Sequence, residues 1–189
     1  MRIRPRSATV RAAVLAVVLA ALAGCGYAPI RYRSALPGVE TLAIGPLTNE
    51  TYEPGVESVV LDALRREALA RGGLRLVEDP EVADLVLSGA VRRLTIAPRS
   101  FSSVVLSLEY EVYMGLELRA TRRGGRSIVI DPRAQNESEL YLASADLEAM
   151  RKNRREAIRR LAGLLADRVW DSVYQAPTAE PEVPESATP

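Results

Sequence analysis

Residues Val104 to Thr121 read VVLSLEYEVYMGLELRAT, and this stretch decides the fold. Leu106, Leu108, Tyr110, Val112, Met114, Leu116, Leu118 and Ala120 take every second position, with Ser107, Glu109, Glu111, Tyr113, Gly115, Glu117 and Arg119 between them. Successive side chains of a strand point to opposite faces, so the stretch has one buried face and one wet face. Such a strand needs paired neighbours and a second layer over its apolar side. Downstream, Arg122-Arg123-Gly124-Gly125-Arg126 reads as a hairpin turn into Ser127 to Ile130. A short strand near Gln135 to Leu142 follows.

Upstream, Ala83 to Val91 enters a second long strand that continues to about Ile96, where Pro98, lacking an N–H for the ladder, ends it. The loop after it carries Phe101, the one Phe of the chain. Val39 to Ile44 is a short strand running into a turn-rich loop, Gly45 to Thr51. Pro54-Gly55 then opens a helix from Val56 to Arg71. Val56, Val59, Val60, Ala63, Leu64 and Ala68 recur at helical spacing and make one face. Glu57 in the first turn and Arg71 in the last suit the helix dipole, and Gly72-Gly73 ends it. Leu74 to Val77 alternates briefly, as a short strand does.

The last element is a helix from Ser144 to Tyr174, with Ser144 as N-cap and Asp146 and Glu148 in the first turn. Met150, Ala157, Ile158, Leu161, Leu164, Leu165 and Val169 form its core stripe. In its second half Leu161, Leu164, Leu165 and Arg168 fall on the side assigned to the sheet; Gly163, Ala166, Trp170 and Tyr174 fall opposite. A sheet covers only one side of a helix, and Trp is the residue type most enriched in interface hot spots. This reading sets Gly163, Ala166, Trp170 and Tyr174 against a partner; the alternative is that a chain end folds back over them. Residues 176–189 hold four prolines, three glutamates and no aromatic residue, the composition of a disordered tail. The order β-α-β-β-β-α gives an α+β fold: a two-layer sandwich, a mostly antiparallel sheet of about four strands with two helices on one face.

Residues 1–24 stand apart. Arg2, Arg4, Arg6 and Arg11 precede or open an apolar run of 11 residues, Ala12 to Leu22. A stable transmembrane helix needs about 20 residues, so the run has signal-peptide length. Leu22-Ala23-Gly24 leads into Cys25, the one cysteine of the chain. This resembles the lipobox of bacterial lipoproteins. The resemblance implies that 1–24 is a lipoprotein signal peptide, that the Cys25 thiol takes a diacylglycerol, and that the new amine is acylated after cleavage. Gly26, rather than Asp, follows Cys25, which by the same resemblance implies the outer membrane. Residues 25–38 read as a lipid-anchored tether reaching at most roughly 45 Å, and 39–175 as the domain. Tyr27, Arg31, Tyr32 and Arg33 either lie at headgroup level or pack on the domain.

From Cys25 onward there are 165 residues, with 21 basic against 24 acidic, a net charge of −3. That balance does not suit a nucleic-acid binder. The chain has no histidine. His-based general bases, Ser-His-Asp and Cys-His arrangements and most zinc sites are thereby excluded. With Cys25 taken by lipid, no thiol chemistry remains. No carboxylate sits in an apolar context of the kind that raises a catalytic pKa. The expectation is a protein that is not an enzyme and uses no cofactor or metal.

Cys25-Gly26-Tyr27 behind the lipobox, Leu42-Ala43-Ile44-x-x-Leu47-x-Asn49-x-Thr51-x-x-Pro54-Gly55-Val56-Glu57, Ala83-Asp84-Leu85-Val86-Leu87-Ser88-Gly89, and a tyrosine-bearing strand leading into an Ala- and Arg-rich helix together resemble the lipopolysaccharide-assembly lipoprotein family, LptE. The resemblance implies an outer-membrane lipoprotein on the periplasmic side that plugs a large β-barrel of the LptD kind. It also implies help in that barrel's assembly and binding of lipopolysaccharide. The alternative is a lipoprotein subunit of another envelope or secretion complex, since fold does not fix function.

Lipopolysaccharide offers phosphates, which call for Arg and Lys. Arg92, Arg93 and Arg99 with Phe101 form one candidate contact cluster, and Arg119, Arg122, Arg123 and Arg126 at the hairpin turn form another. Each is either a ligand or partner surface or an ordinary solvated loop. A third run on the last helix, Arg151, Lys152, Arg154, Arg155, Arg159 and Arg160, is either such a contact surface or, the preferred reading, a solvated helix face balanced by Glu148 and Glu156.

Overall fold

The computed structural model describes residues 36–101 and 107–176. Residues 1–35, which take in the expected signal peptide, Cys25 and most of the expected tether, residues 102–106 and the expected tail from 177 lie outside the described residues. The described elements run β1 (Thr41–Asn49), α1 (Val56–Arg71), β2 (Arg75–Leu76), β3 (Leu85–Phe101), β4 (Ser107–Arg122), β5 (Ser127–Ile128), β6 (Asn136–Leu142) and α2 (Leu147–Gln175). The order of strands is β2-β1-β3-β4-β5, and β6 pairs with β4 beside β5.

The α+β architecture is as the sequence implies, but the sheet is mixed and six-stranded. β1 runs parallel to both β2 and β3, while β3, β4, β5 and β6 pair antiparallel. The parallel part follows from α1, which serves as the crossover that parallel neighbours require. β1 also runs five residues past Ile44, through Gly45-Pro46. The register to β3 shifts between Ile44 and Leu47, so a bulge absorbs the glycine and proline that read as loop. The fold also takes in Leu36, assigned by sequence to the tether, which is buried in the core.

β3 and β4 form the long hairpin on which the sheet is built. The expected alternation holds from Val112 to Ala120: Val112, Met114, Leu116, Leu118 and Ala120 are buried. It fails at Leu108, which is exposed near the hairpin end. Pro98 does not end β3, which continues to Phe101. Beyond Val91, β3 has no described strand on the side that β1 occupies earlier, so a missing N–H is tolerated on that edge. Register shifts after Val91 and around Ser100 interrupt the same stretch, a device that blunts a free edge. Gly89 sits where no other residue fits. Its φ is +152°, and a Cβ there would lie 2.0 Å from the Glu117 carbonyl oxygen. The Arg122–Arg126 turn is as expected, with Gly124 and Gly125 both at positive φ.

α1 has the boundaries its sequence implies, with Val56, Val60, Ala63, Leu64 and Ala68 buried. α2 starts later than expected. Asp146, not Ser144, is its N-cap, accepting from the Ala149 N–H at 2.8 Å. The two helices pack on each other, and this corrects the assignment of α2's sides. Trp170 is 0% exposed and Ala166 is buried, whereas Leu164 is 38% exposed and Arg168 is exposed. The Trp170 indole Nε1 donates to the Leu64 carbonyl at 3.0 Å. The buried arc of α2 is wide because one flank lies on the sheet and the other on α1. Arg71 clasps the pair at the helix ends, bonding Glu67 at 2.7 Å, Asp171 at 2.6 Å and Asp167, with its guanidinium 5.8 Å from the Tyr174 ring. Burial opposes the charge of Arg71, but the bonds and charges of Asp171 and Glu67 outweigh it and hold the guanidinium above its ordinary range.

Candidate binding surfaces

The motif residues are structural anchors. The Asn49 side chain donates to the Glu53 carbonyl and to Glu57 Oε2, both at 2.8 Å, and accepts from the Thr51 N–H and hydroxyl at 2.9 and 2.8 Å. One amide thus uses both its ends to fix the β1–α1 connection. Asp84 does the same at the start of β3. Its Oδ2 accepts from the Thr41 hydroxyl at 2.7 Å and from the Glu40 and Thr41 N–H groups at 3.1 and 3.0 Å. Its own N–H returns a bond to Thr41 Oγ1. The Thr41 hydroxyl first, then the two backbone N–H groups, hold the Asp84 carboxyl below its usual range. These residues fix chain geometry and point to no ligand.

The two expected arginine clusters spread along the hairpin and meet at Glu117, which Arg92 of one and Arg119 of the other share. Leu85 pairs with Arg122 at one end and Phe101 with Ser107 at the other, roughly 50 Å apart along the strand. At the far end Phe101 is 56% exposed, and Arg99 lies 3.7 Å from Glu111. Arg92 projects from a bulge and is shared between Glu50 and Glu117; its bond holds the Glu117 carboxyl low. Arg93 is exposed and has no ionic partner among the described residues. At the near end, Arg122 donates to the Pro37 carbonyl at 3.2 Å, and Arg123 reaches Asp84 at 3.4 Å and the Val82 and Ala83 carbonyls. Arg119 lies 3.5 Å from Glu117, and Arg126 is exposed without an ionic partner among the described residues. Arg92, Arg93 and Arg99 are thus strung along β3, and most cations of both clusters already have partners.

On α2 the expected partner side is not a surface. Trp170 and Ala166 are core; Gly163 and Tyr174 are only partly exposed. The basic run divides in a way the sequence shows only in part. Arg151, Lys152, Arg154 and Arg160 pair with Glu148, Glu156, Glu53 and Glu139. Arg155 and Arg159 are exposed and have no ionic partner among the described residues. For Arg155 the signal was legible, because no acid stands three or four residues away on its helix. The pairing of Arg154 with Glu53 spans the fold and was not.

The sequence model of LptE, described as lipopolysaccharide-assembly, matches residues 39–173. No curated protein sequence matches the chain. Among solved structures, a putative lipoprotein from Caulobacter crescentus shares the fold at TM-score 0.50 and 16% identity, over 75% of this chain and 91% of that one. Rare lipoprotein B from Shewanella oneidensis is similar at TM-score 0.46 and 16% identity, over 70% and 92%. A minor lipoprotein from Acinetobacter baumannii is similar at TM-score 0.43 and 19% identity, over 76% and 98%.

Proposed function

Because the chain belongs to the LptE lipopolysaccharide-assembly family, we propose that it is a lipid-anchored, non-enzymatic subunit of the machinery that delivers lipopolysaccharide to the outer leaflet of the outer membrane. In this reading Cys25 carries the lipid on the periplasmic side. The domain sits in the lumen of a large LptD-like β-barrel, assists that barrel's assembly and binds lipopolysaccharide. The observation that carries the reading is the extent of the family match, residues 39–173, which takes in every described strand and helix but the last two residues of α2. The surface chemistry agrees with it. The interior of a transmembrane barrel is polar. The face of β4 turned from the core carries Glu109, Glu111, Tyr113, Glu117 and Arg119.

Depletion tests the reading. On loss of this lipoprotein the barrel should lose its folded, heat-modifiable form, and surface lipopolysaccharide should fall. Normal barrel folding and normal surface lipopolysaccharide in depleted cells would contradict it and favour a subunit of another envelope complex.

A further inference from the structure

Arg155 and Arg159 differ from the other cations of their helix in where they lie as well as in lacking partners. Both line one groove between α1 and α2, walled also by Pro54, Gly55, Val59 and Ile158. Glu53 is the one carboxylate on its wall, and Arg154 occupies it. Arg155 and Arg159 therefore have no ion-pair partner among the described residues, and the one carboxylate on the wall is already taken. The volume of the groove is about 150 Å³, several times the roughly 30 Å³ share of one water, so it has room for a small polyatomic anion. Residues four apart on a helix are neighbours, about 5–6 Å between Cβ atoms. Both arginines line the groove from that spacing, so their guanidinium N–H donors are within reach of one ligand. A carboxylate brings one charge and two oxygens to such a pair. A phosphomonoester brings close to two charges and three free oxygens, enough to engage both guanidiniums at once.

We infer that Arg155 and Arg159 form a binding site for a phosphomonoester group. The group comes either from a lipid headgroup or from a dissolved phosphate. The lipid source rests on the function proposed above; the anion chemistry rests on the groove alone.

The test uses the mature lipoprotein in neutral detergent micelles at low salt, with arginine Nε–H resonances as the readout. One arm adds inorganic phosphate, and the other mixes phosphatidic acid into the micelles. The Arg155 and Arg159 signals should shift in at least one arm. A response to phosphate assigns the dissolved anion, and a response to phosphatidic acid alone assigns the headgroup. The double variant R155Q/R159Q should bind at least tenfold more weakly while keeping its thermal transition. R65Q/R66Q, which removes two exposed arginines of α1 away from the groove, should bind as the parent does. Silence in both arms, or an equal loss in R65Q/R66Q, overturns the site. Silence at Arg155 and Arg159 in a protein that still co-purifies its barrel removes this site and leaves the proposed function standing.

Discussion

Trp170 of α2 donates its indole N–H to the Leu64 carbonyl of α1 at 3.0 Å, with the ring fully buried between the helices. This contact joins residues 106 positions apart in the chain and, with the Arg71 clasp, ties α2 to α1. Its neighbour Tyr174 tilts against it at 6.2 Å between ring centroids.

Trp170→Ala should cost about 3–5 kcal/mol in urea unfolding, the usual range for emptying a large aromatic site. Trp170→Phe keeps most of the apolar area and loses the hydrogen bond, so it should cost clearly less. A Trp170→Ala protein within about 1 kcal/mol of the parent would mark the residue as a surface site instead.

Gly89→Ala should be among the most damaging small substitutions in the chain. The new Cβ meets backbone, the Glu117 carbonyl oxygen, in a conformation at φ +152° that side chains rarely adopt. Neither the β3–β4 ladder nor the β1 pairing can yield without losing hydrogen bonds. A loss of about 3 kcal/mol or more, in the upper part of the range for point mutants, is expected in urea titration. A neutral Gly89→Ala protein would show that the strands separate there freely.

Asp84 should make the fold acid-sensitive. Its folded-state pKa is depressed, chiefly by the Thr41 hydroxyl and then by the Glu40 and Thr41 N–H groups. The stabilisation is therefore complete above the unfolded carboxyl pKa, about 3.9, and is lost as pH falls through the lower folded value. Thermal melts from neutral pH downward should show the parent Tm falling below about pH 4. Asp84→Asn should start lower at neutral pH and fall less steeply across the same window. Parallel curves for the two proteins would remove Asp84 from the account.

Much of this was legible in the sequence, and the rest was not for physical reasons. α1 was readable end to end because its signals are local: apolar spacing, Glu57, Arg71 and Gly72. The alternation of β4 was readable because one face is buried over most of its length. The loop of Asn49, Thr51 and Glu57 was visible as a pattern, though its hydrogen bonds were not. Parallel pairing of β1 was hidden, since short strands carry no mark of direction. Trp170 was misassigned for a related reason. Helical spacing shows which residues share a side, but not that α1 covers the side opposite Leu164. The arginines were hardest, because Arg154 and Arg123 are neutralised by acids far away in the chain, Glu53 and Asp84.

The most direct test of the central claim is to purify the lipoprotein, tagged at its C-terminus, from mildly solubilised outer membranes and identify what comes with it. The account predicts a single large β-barrel protein of lipopolysaccharide assembly in one-to-one ratio, retained at high salt. Recovery with subunits of a secretion complex instead, or of the lipoprotein alone from membranes where that barrel is abundant, would contradict it.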